Sequence, residues 1–206
     1  MRVKVCGITN LDDALLASNL GADALGFNFF PASPRYIDPG SAGVIIRQLP
    51  PLVAMVGVFV NVETPEELLR MARASGVQVL QLHGDETPEY CHALRPWPLI
   101  KAVRVGNGPP GDDPSRYPVQ AFLLDARDDV LFGGTGRTFD WKDASAIGRS
   151  RPLILAGGLN PGNVARAIRT VDPYAVDVCS GVERSPGCKD PGRLKKFMDE
   201  VSNARR

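Results

Sequence analysis

No run of this sequence approaches the roughly 18 consecutive apolar residues of a membrane-spanning helix. The opening MRVKVCGITN also lacks the apolar core of a secretory signal, so a soluble, cytoplasmic protein with no membrane partner is expected. Charge of one sign is not in excess either: 24 Lys and Arg face 23 Asp and Glu, a formal charge of +1, with no like-charge block resembling a nucleic-acid arm. A nucleic-acid partner is therefore not expected. Cysteine is sparse, limited to Cys6, Cys91, Cys179 and Cys188 with no C-x-x-C pair, and of the two histidines only His92 sits beside a cysteine. That spacing suits no metal, and free thiols in a reducing compartment fit it best. Such thiols are mostly small buried hydrophobes, the starting interpretation for all four. No G-x-G-x-x-G follows the first apolar run, which counts against a doubly wound nucleotide-binding sheet.

What the chain does have, along 206 residues, is a regular alternation of short apolar, β-branched runs with stretches of helical spacing. VKVCGI is followed by LDDALLASNLGA, where Leu11, Ala14, Leu15 and Leu20 share a predicted helix face that Gly21 ends. ALGFNFF leads through ASPRYIDP to SAGVIIRQL. VAMVGVFVN and VQVLQLHG are followed by helices that Thr64-Pro65 and Thr87-Pro88 should open, with Thr as cap and Pro at the first position. PLIKAVRV is followed by GNGPPGDDPSRYP, too rich in Gly and Pro for an ordinary helix. QAFLLDAR precedes the loop DDVLFGGTGRTF and a helix WKDASAIGR. PLILAGGL precedes a helix GNVARAIRTV that Asn160-Pro161 should cap. AVDVCSGVE is the eighth run, and after RSPGCKD an amphipathic helix carries Leu194, Phe197, Met198 and Val201. Eight such runs predict one α/β domain over residues 1–206, a parallel (β/α)8 TIM barrel whose helix after strand five is reduced or replaced by a loop.

Barrel chemistry sits at the C-terminal strand ends, where this sequence places Cys6, Asn28, Asn61, His83, Arg104, Asp125, Asp177 and Ser180, with Arg35 just beyond strand two. Period-two alternation puts Cys6 in phase with Lys4, His83 with Gln81 and Asp125 with Leu123, so these side chains can face the barrel mouth together. Gly157-Gly158 and Ser180-Gly181 follow strands seven and eight, where barrel enzymes commonly hold a phosphate on backbone amides. A phosphorylated small-molecule substrate follows from that placement. Asp125 reads equally as a loop salt-bridge residue until Cys6 is set beside it, because one proton donor and one acceptor across a mouth suit an isomerisation. Arg35 can fork onto a substrate carboxylate or make a surface salt bridge. His83 and Asp177 are candidate substrate contacts, while His92 is structural.

The motifs KVCGIT, GFNFFPASPRYI, VGVFVN, LQLHGDE, LLDA with GGTGRTFDW, LAGGLNPGNV and AVDVCSGVE resemble, in order and over essentially the whole chain, the phosphoribosylanthranilate isomerase family of tryptophan biosynthesis. That resemblance implies a (β/α)8 barrel without a cofactor and an Amadori rearrangement of N-(5-phosphoribosyl)anthranilate to 1-(2-carboxyphenylamino)-1-deoxyribulose 5-phosphate. It implies Cys6 as general base, Asp125 as general acid, Arg35 on the anthranilate carboxylate, and Gly157, Gly158, Ser180 and Gly181 around the phosphate. Cys188, at a variable loop position, and the insert GNGPPGDDPSRYP depart from the family pattern without touching these residues.

Other readings stay open at this level. A histidine-pathway phosphosugar isomerase would be expected to carry an aspartate at the end of strand one, where this chain has Cys6. A Schiff-base lyase needs a strand-end lysine, and Lys101 comes early in its run. A non-catalytic phosphate-binding barrel would have no need of a matched acid and base. The sequence does not distinguish a monomer from a homodimer.

Overall fold

The computed structural model describes residues 1–104, 114–125 and 151–204. Eight parallel strands close into a barrel in sequence order: β1 (Arg2–Cys6), β2 (Ala24–Asn28), β3 (Ala54–Phe59), β4 (Val79–Leu82), β5 (Leu99–Arg104), β6 (Ala121–Asp125), β7 (Leu153–Ala156) and β8 (Ala175–Val178). The ring shuts where β1 pairs with β8 in the register Lys4 to Asp177 and Val5 to Val178. The (β/α)8 architecture expected from the sequence is what the chain forms.

The strands are nearly continuous in apolar residues because both faces are covered. Val5, Phe27, Phe122, Leu124, Val176 and Val178 point outward into the layer shared with the helices, whereas Val56, Ile100, Ala102, Leu123, Ile154, Ala156 and Ala175 fill the interior as a separate cluster. Each fully buried Leu or Phe of this kind contributes about 1.5–3 kcal/mol of transfer free energy. The same alternation sends Lys4, Gln81 and Asp177 inward.

Among the described residues, five helices open on a side-chain cap. Asn10, Asp38, Thr64, Thr87 and Asp190 each accept the backbone N–H three residues on, starting helices Leu11–Asn19, Pro39–Ile46, Pro65–Ser75, Pro88–Ala93 and Pro191–Asn203. Thr64-Pro65 and Thr87-Pro88 thus act as the sequence predicts. Asn160-Pro161 does not: the helix after β7 is Val164–Val171, with Asn163 at its cap position. Asn160 instead accepts from the Gly162 N–H at 2.8 Å, while Asn163 Oδ1 accepts from the Asn160 N–H at 2.8 Å, so the polar groups close a turn before the helix begins. In the first helix Ala14 and Ala17 are buried, with Leu11, Leu16 and Leu20 packed alongside, and Leu15 lies off the expected face. Leu194, Phe197 and Val201 bury the last helix as anticipated.

Between β5 and β6 the described residues contain a single 3-10 turn, Pro114–Arg116, in keeping with the reduced helix expected there. The predicted loop DDVLFGGTGRTF, the predicted helix WKDASAIGR and most of GNGPPGDDPSRYP lie outside the described residues. Beyond β8, a second small element forms, a two-stranded antiparallel ribbon of β9 (Glu183–Ser185) and β10 (Cys188–Lys189). Among the described residues, no helix is long and apolar enough to cross a membrane.

Candidate active site

All eight strands run the same way, so their C-terminal ends form one rim. Cys6 ends β1 there, opposite Gly26 of β2 in the ladder. An ideal Cβ built on Gly26 would lie 2.7 Å from Cys6 Sγ and 3.0 Å from Lys4 Nζ, so the absent side chain is what makes room for both groups. Lys4 is buried and its ammonium donates to Asp177 Oδ1 at 3.0 Å, closing an ion pair beneath the thiol. Cys179, next to Val178 on β8, neighbours Cys6, and its thiol donates to Glu183 Oε1 at 3.8 Å. The neighbouring Cys179 thiol, with the Lys4 and Lys189 ammoniums, holds the Cys6 thiol well below the usual thiol range although burial opposes it. Cys179 is displaced upward by its neighbour Cys6 and by burial. Burial lifts Asp177 to about 7 against the pull of Lys4, and Lys4 stays a cation because Asp177 and Cys6 outweigh its own desolvation.

On the other side of the mouth, Asp125 ends β6 and meets His83, which follows β4. His83 Nε2 lies 3.3 Å from Asp125 Oδ2, and His83 Nδ1 lies 3.0 Å from Gln81 Nε2. Gln81 Oε1 is buried and is without a hydrogen-bond partner. The inward phase expected for Gln81 and His83 is realised, and His83 is brought to Asp125.

Arg35 does not stand alone at the rim. Its guanidinium forks onto Glu183, with Nε 3.0 Å from both carboxylate oxygens and an Nη 2.7 Å from Oε2. Glu183 also receives Lys189 Nζ at 2.9 Å and the Gly187 N–H at 3.3 Å, and the arginine and lysine keep its carboxyl below the ordinary range against the effect of burial. Lys189, wholly buried, also donates its Nζ to the Cys6 carbonyl, tying the β9–β10 ribbon to the end of β1. The rest of Arg35's support comes from Asn28, which donates to Ser33 Oγ at 3.1 Å, while that hydroxyl accepts the Arg35 N–H at 3.1 Å. Asn28 and Asn61 therefore build loops: Asn61 Oδ1 accepts from the Asp85 N–H at 2.7 Å.

After β7, Gly157 and Gly158 adopt φ of +91° and +65°, values that favour glycine. The Gly158 carbonyl is held by the side-chain amides of Asn160 and Asn163 at 3.1 and 3.0 Å. Ser180 and Gly181 open a 3-10 turn after β8. A Cβ on Gly181 would overlap the Leu159 carbonyl, so the two loops named from the sequence are packed against each other. Asp177 sits deeper, buried against Lys4. The Arg104 side chain lies outside the described residues.

Sequence reasoning missed Glu183, Lys189 and Cys179. The local sequence carries no signal for the first two, because Arg35 and Glu183 meet across 148 residues and Lys189 reaches Cys6 across 183. Cys179 was findable, since it follows Asp177 in the inward phase of β8. The lyase alternative loses its lysine: Lys101 shares the outward phase of Leu99 and Val103, and its ammonium is buried against Glu86 Oε2 at 3.0 Å and the Gly84 carbonyl at 2.6 Å. Among the described residues no cluster of His, Cys, Asp and Glu is arranged to hold a metal ion.

Known proteins resemble this chain in sequence and in fold. The family model described as N-(5'phosphoribosyl)anthranilate (PRA) isomerase matches residues 3–200. An N-(5'-phosphoribosyl)anthranilate isomerase of Citrifermentans bemidjiense is 50% identical over 200 residues, covering 97% of this chain and 96% of that protein. The crystal structure of phosphoribosyl anthranilate isomerase from Thermus thermophilus superposes with a TM-score of 0.84 at 42% identity, covering 98% of this chain and 99% of that one. A phosphoribosyl anthranilate isomerase structure in complex with reduced 1-(o-carboxyphenylamino)-1-deoxyribulose 5-phosphate has a TM-score of 0.82 at 41% identity, with 98% and 99% coverage. Matched from β1 to the last helix by sequence and by backbone, this chain belongs to the N-(5'-phosphoribosyl)anthranilate isomerase family, and it is an isomerase.

Proposed function

We propose that this enzyme performs the Amadori rearrangement of N-(5-phosphoribosyl)anthranilate in tryptophan biosynthesis, with Asp125 as general acid and Cys6 as general base. The observation that carries the reading is the placing of a thiol at the end of β1 beside two buried ammoniums, Lys4 and Lys189, with a carboxyl group at the end of β6. Asp125 protonates the furanose ring oxygen and the ring opens to a Schiff base. The Cys6 thiolate then takes the proton from C2′, and the enolamine tautomerises to the ketone. An ordinary thiol with a pKa near ~8.5 is only a few per cent thiolate at pH 7, so the cations around Cys6 supply a need of the chemistry.

The Gln81–His83–Asp125 chain suits an acid that must carry and then lose a proton. With Gln81 Nε2 donating to His83 Nδ1, the ring proton sits on Nε2 and is donated to an ionised Asp125. Turned over, the Gln81 amide presents its unpartnered Oε1 to an Nδ1–H, and Nε2 then accepts from a protonated Asp125. One histidine thus serves the carboxyl group before and after proton transfer.

Arg35 holds the anthranilate carboxylate, oriented from behind by Glu183, and the adjoining loops at Gly157, Gly158, Ser180 and Gly181 hold the phosphate. The ligand of the related complex, a phosphorylated carboxyphenylamino sugar, has the two anions this division requires. His83 and Asp177 contribute as substrate-side groups through Asp125 and Lys4. Steady-state assay of phosphoribosylanthranilate consumption by fluorescence tests the assignment. Cys6→Ser and Asp125→Asn should each lower kcat by at least about a hundredfold with little change in KM, and Arg35→Met should chiefly raise KM. Near-normal kcat in either of the first two refutes the acid and base roles.

A further inference from the structure

The register that closes the barrel brings two thiols side by side. Lys4 pairs with Asp177 and Val5 with Val178, so the next step along each strand sets Cys6 against Cys179. Both follow inward-facing residues by two, Lys4 and Asp177, and therefore face the same space. Neighbouring strands run ~4.8 Å apart, inside the Cα separation of about 4.4–6.8 Å that a disulfide spans. Cys179 Sγ leans back toward β1, lying 2.9 Å from where a Gly7 Cβ would be. Neither thiol is in a disulfide, and Cys6 is partly exposed at the mouth. The other two cysteines are elsewhere: Cys91 is buried on helix Pro88–Ala93 and Cys188 lies on β10.

We propose that Cys6 and Cys179 form a peroxide-sensitive thiol pair, in which a hydroperoxide oxidises Cys6 and Cys179 closes a disulfide across the mouth of the barrel. Cys6 is the attacking sulfur because the Lys4 and Lys189 ammoniums beside it favour its thiolate, and Cys179 is the resolving thiol because its S–H is donated to Glu183 Oε1 at 3.8 Å. The Cys6 sulfur attacks a peroxide oxygen, the O–O bond breaks, and the leaving alkoxide takes a proton as the alcohol, or as water when the oxidant is hydrogen peroxide. Cys6 is then a sulfenic acid. The Cys179 sulfur attacks the Cys6 sulfur, the S–O bond breaks, and hydroxide departs with the Cys179 proton as water. The two sulfurs give up two electrons in total and the peroxide is reduced by the same two. The loss of turnover that accompanies closure rests on the reading of Cys6 as general base; closure itself does not.

The test treats the full-length protein with hydrogen peroxide and maps its tryptic peptides without reduction. The expected product joins the peptide of residues 5–35 to that of residues 170–184, lighter by two hydrogens than the separate pair, and turnover falls in step with it and returns with dithiothreitol. In Cys179→Ala the linked peptide is absent, and at a dose that dithiothreitol fully reverses in the parent, part of the activity is lost permanently as Cys6 proceeds to sulfinic acid. Inactivation of the parent without the linked peptide overturns the proposal, as does a link from Cys6 to the Cys188 peptide. A linked peptide with undiminished turnover upholds the thiol pair and overturns the role of Cys6 as base, so the two failures are distinct.

Discussion

Replacing Lys4 by Met tests the claim that a buried ammonium makes the Cys6 thiolate. Lys4 Nζ and Cys6 Sγ lie 3.0 and 2.7 Å from the same point beside Gly26, which caps their separation at about 6 Å. At ~5 Å and an effective dielectric of ~20, the attraction is about 3 kcal/mol, equivalent to roughly two pKa units. Met keeps the length of the side chain while removing the charge. The loss also strands Asp177, but burial already lifts that acid to about 7, so it takes up a proton instead of remaining a buried anion. The readout is the rate of iodoacetamide alkylation at Cys6, followed by peptide mass mapping across pH. In the parent, Cys6 stays reactive at pH values where an ordinary thiol has lost nearly all its thiolate. In Lys4→Met the midpoint should rise, although the proton taken up by Asp177 offsets part of the lost attraction, with kcat at neutral pH falling and recovering as the pH is raised. The sign for stability is fixed by the same shift. A thiol lowered by folding stabilises the protein above the ordinary thiol pKa, and that contribution is lost as pH falls through the lowered value. Without Lys4 that contribution is smaller and is fully lost at a higher pH. A midpoint that moves by less than about half a unit refutes the reasoning.

Two further outcomes follow from groups near the rim. Glu86 accepts from Asn61 N–H at 2.9 Å, Gly84 N–H at 3.1 Å and Lys101 Nζ at 3.0 Å, with both members of the ion pair buried, so Glu86→Gln should cost about 3–5 kcal/mol in urea unfolding. Glu86→Gln with Lys101→Met should recover most of that, and a single-variant loss below about 1 kcal/mol would show that the pair holds nothing in place. Gly181→Ala forces the loop after β8 off the Leu159 carbonyl, so KM should rise by about tenfold or more and inhibition by inorganic phosphate should weaken in parallel. Unchanged phosphate inhibition would remove Gly181 from the anion site.

The mouth of the barrel was partly legible in advance because side-chain direction along a strand is local. Cys6 two residues after Lys4, His83 two after Gln81 and Asp125 two after Leu123 need only the period of the pleat to be placed on one face. Lys101 followed the same rule outward, where its partner Glu86 waits. The Asn160-Pro161 cap failed for a local reason too: two asparagines and a glycine within four residues allow competing turns, and the structure uses the turn that starts the helix at Val164.

By itself, then, the sequence determined the (β/α)8 barrel, the identity of the rim residues and the glycines at the loops after β7 and β8. These rest on propensity, alternation and turn chemistry, all of which act over a few residues. What only the tertiary structure decided is the electrostatic setting: Glu183 behind Arg35, Lys189 and Lys4 around Cys6, and Cys179 beside it. Those contacts join opposite ends of the chain, and they exist only once β8 has closed onto β1 in one register. Until that ladder forms, nothing in the order of residues says which charge will lie next to the thiol.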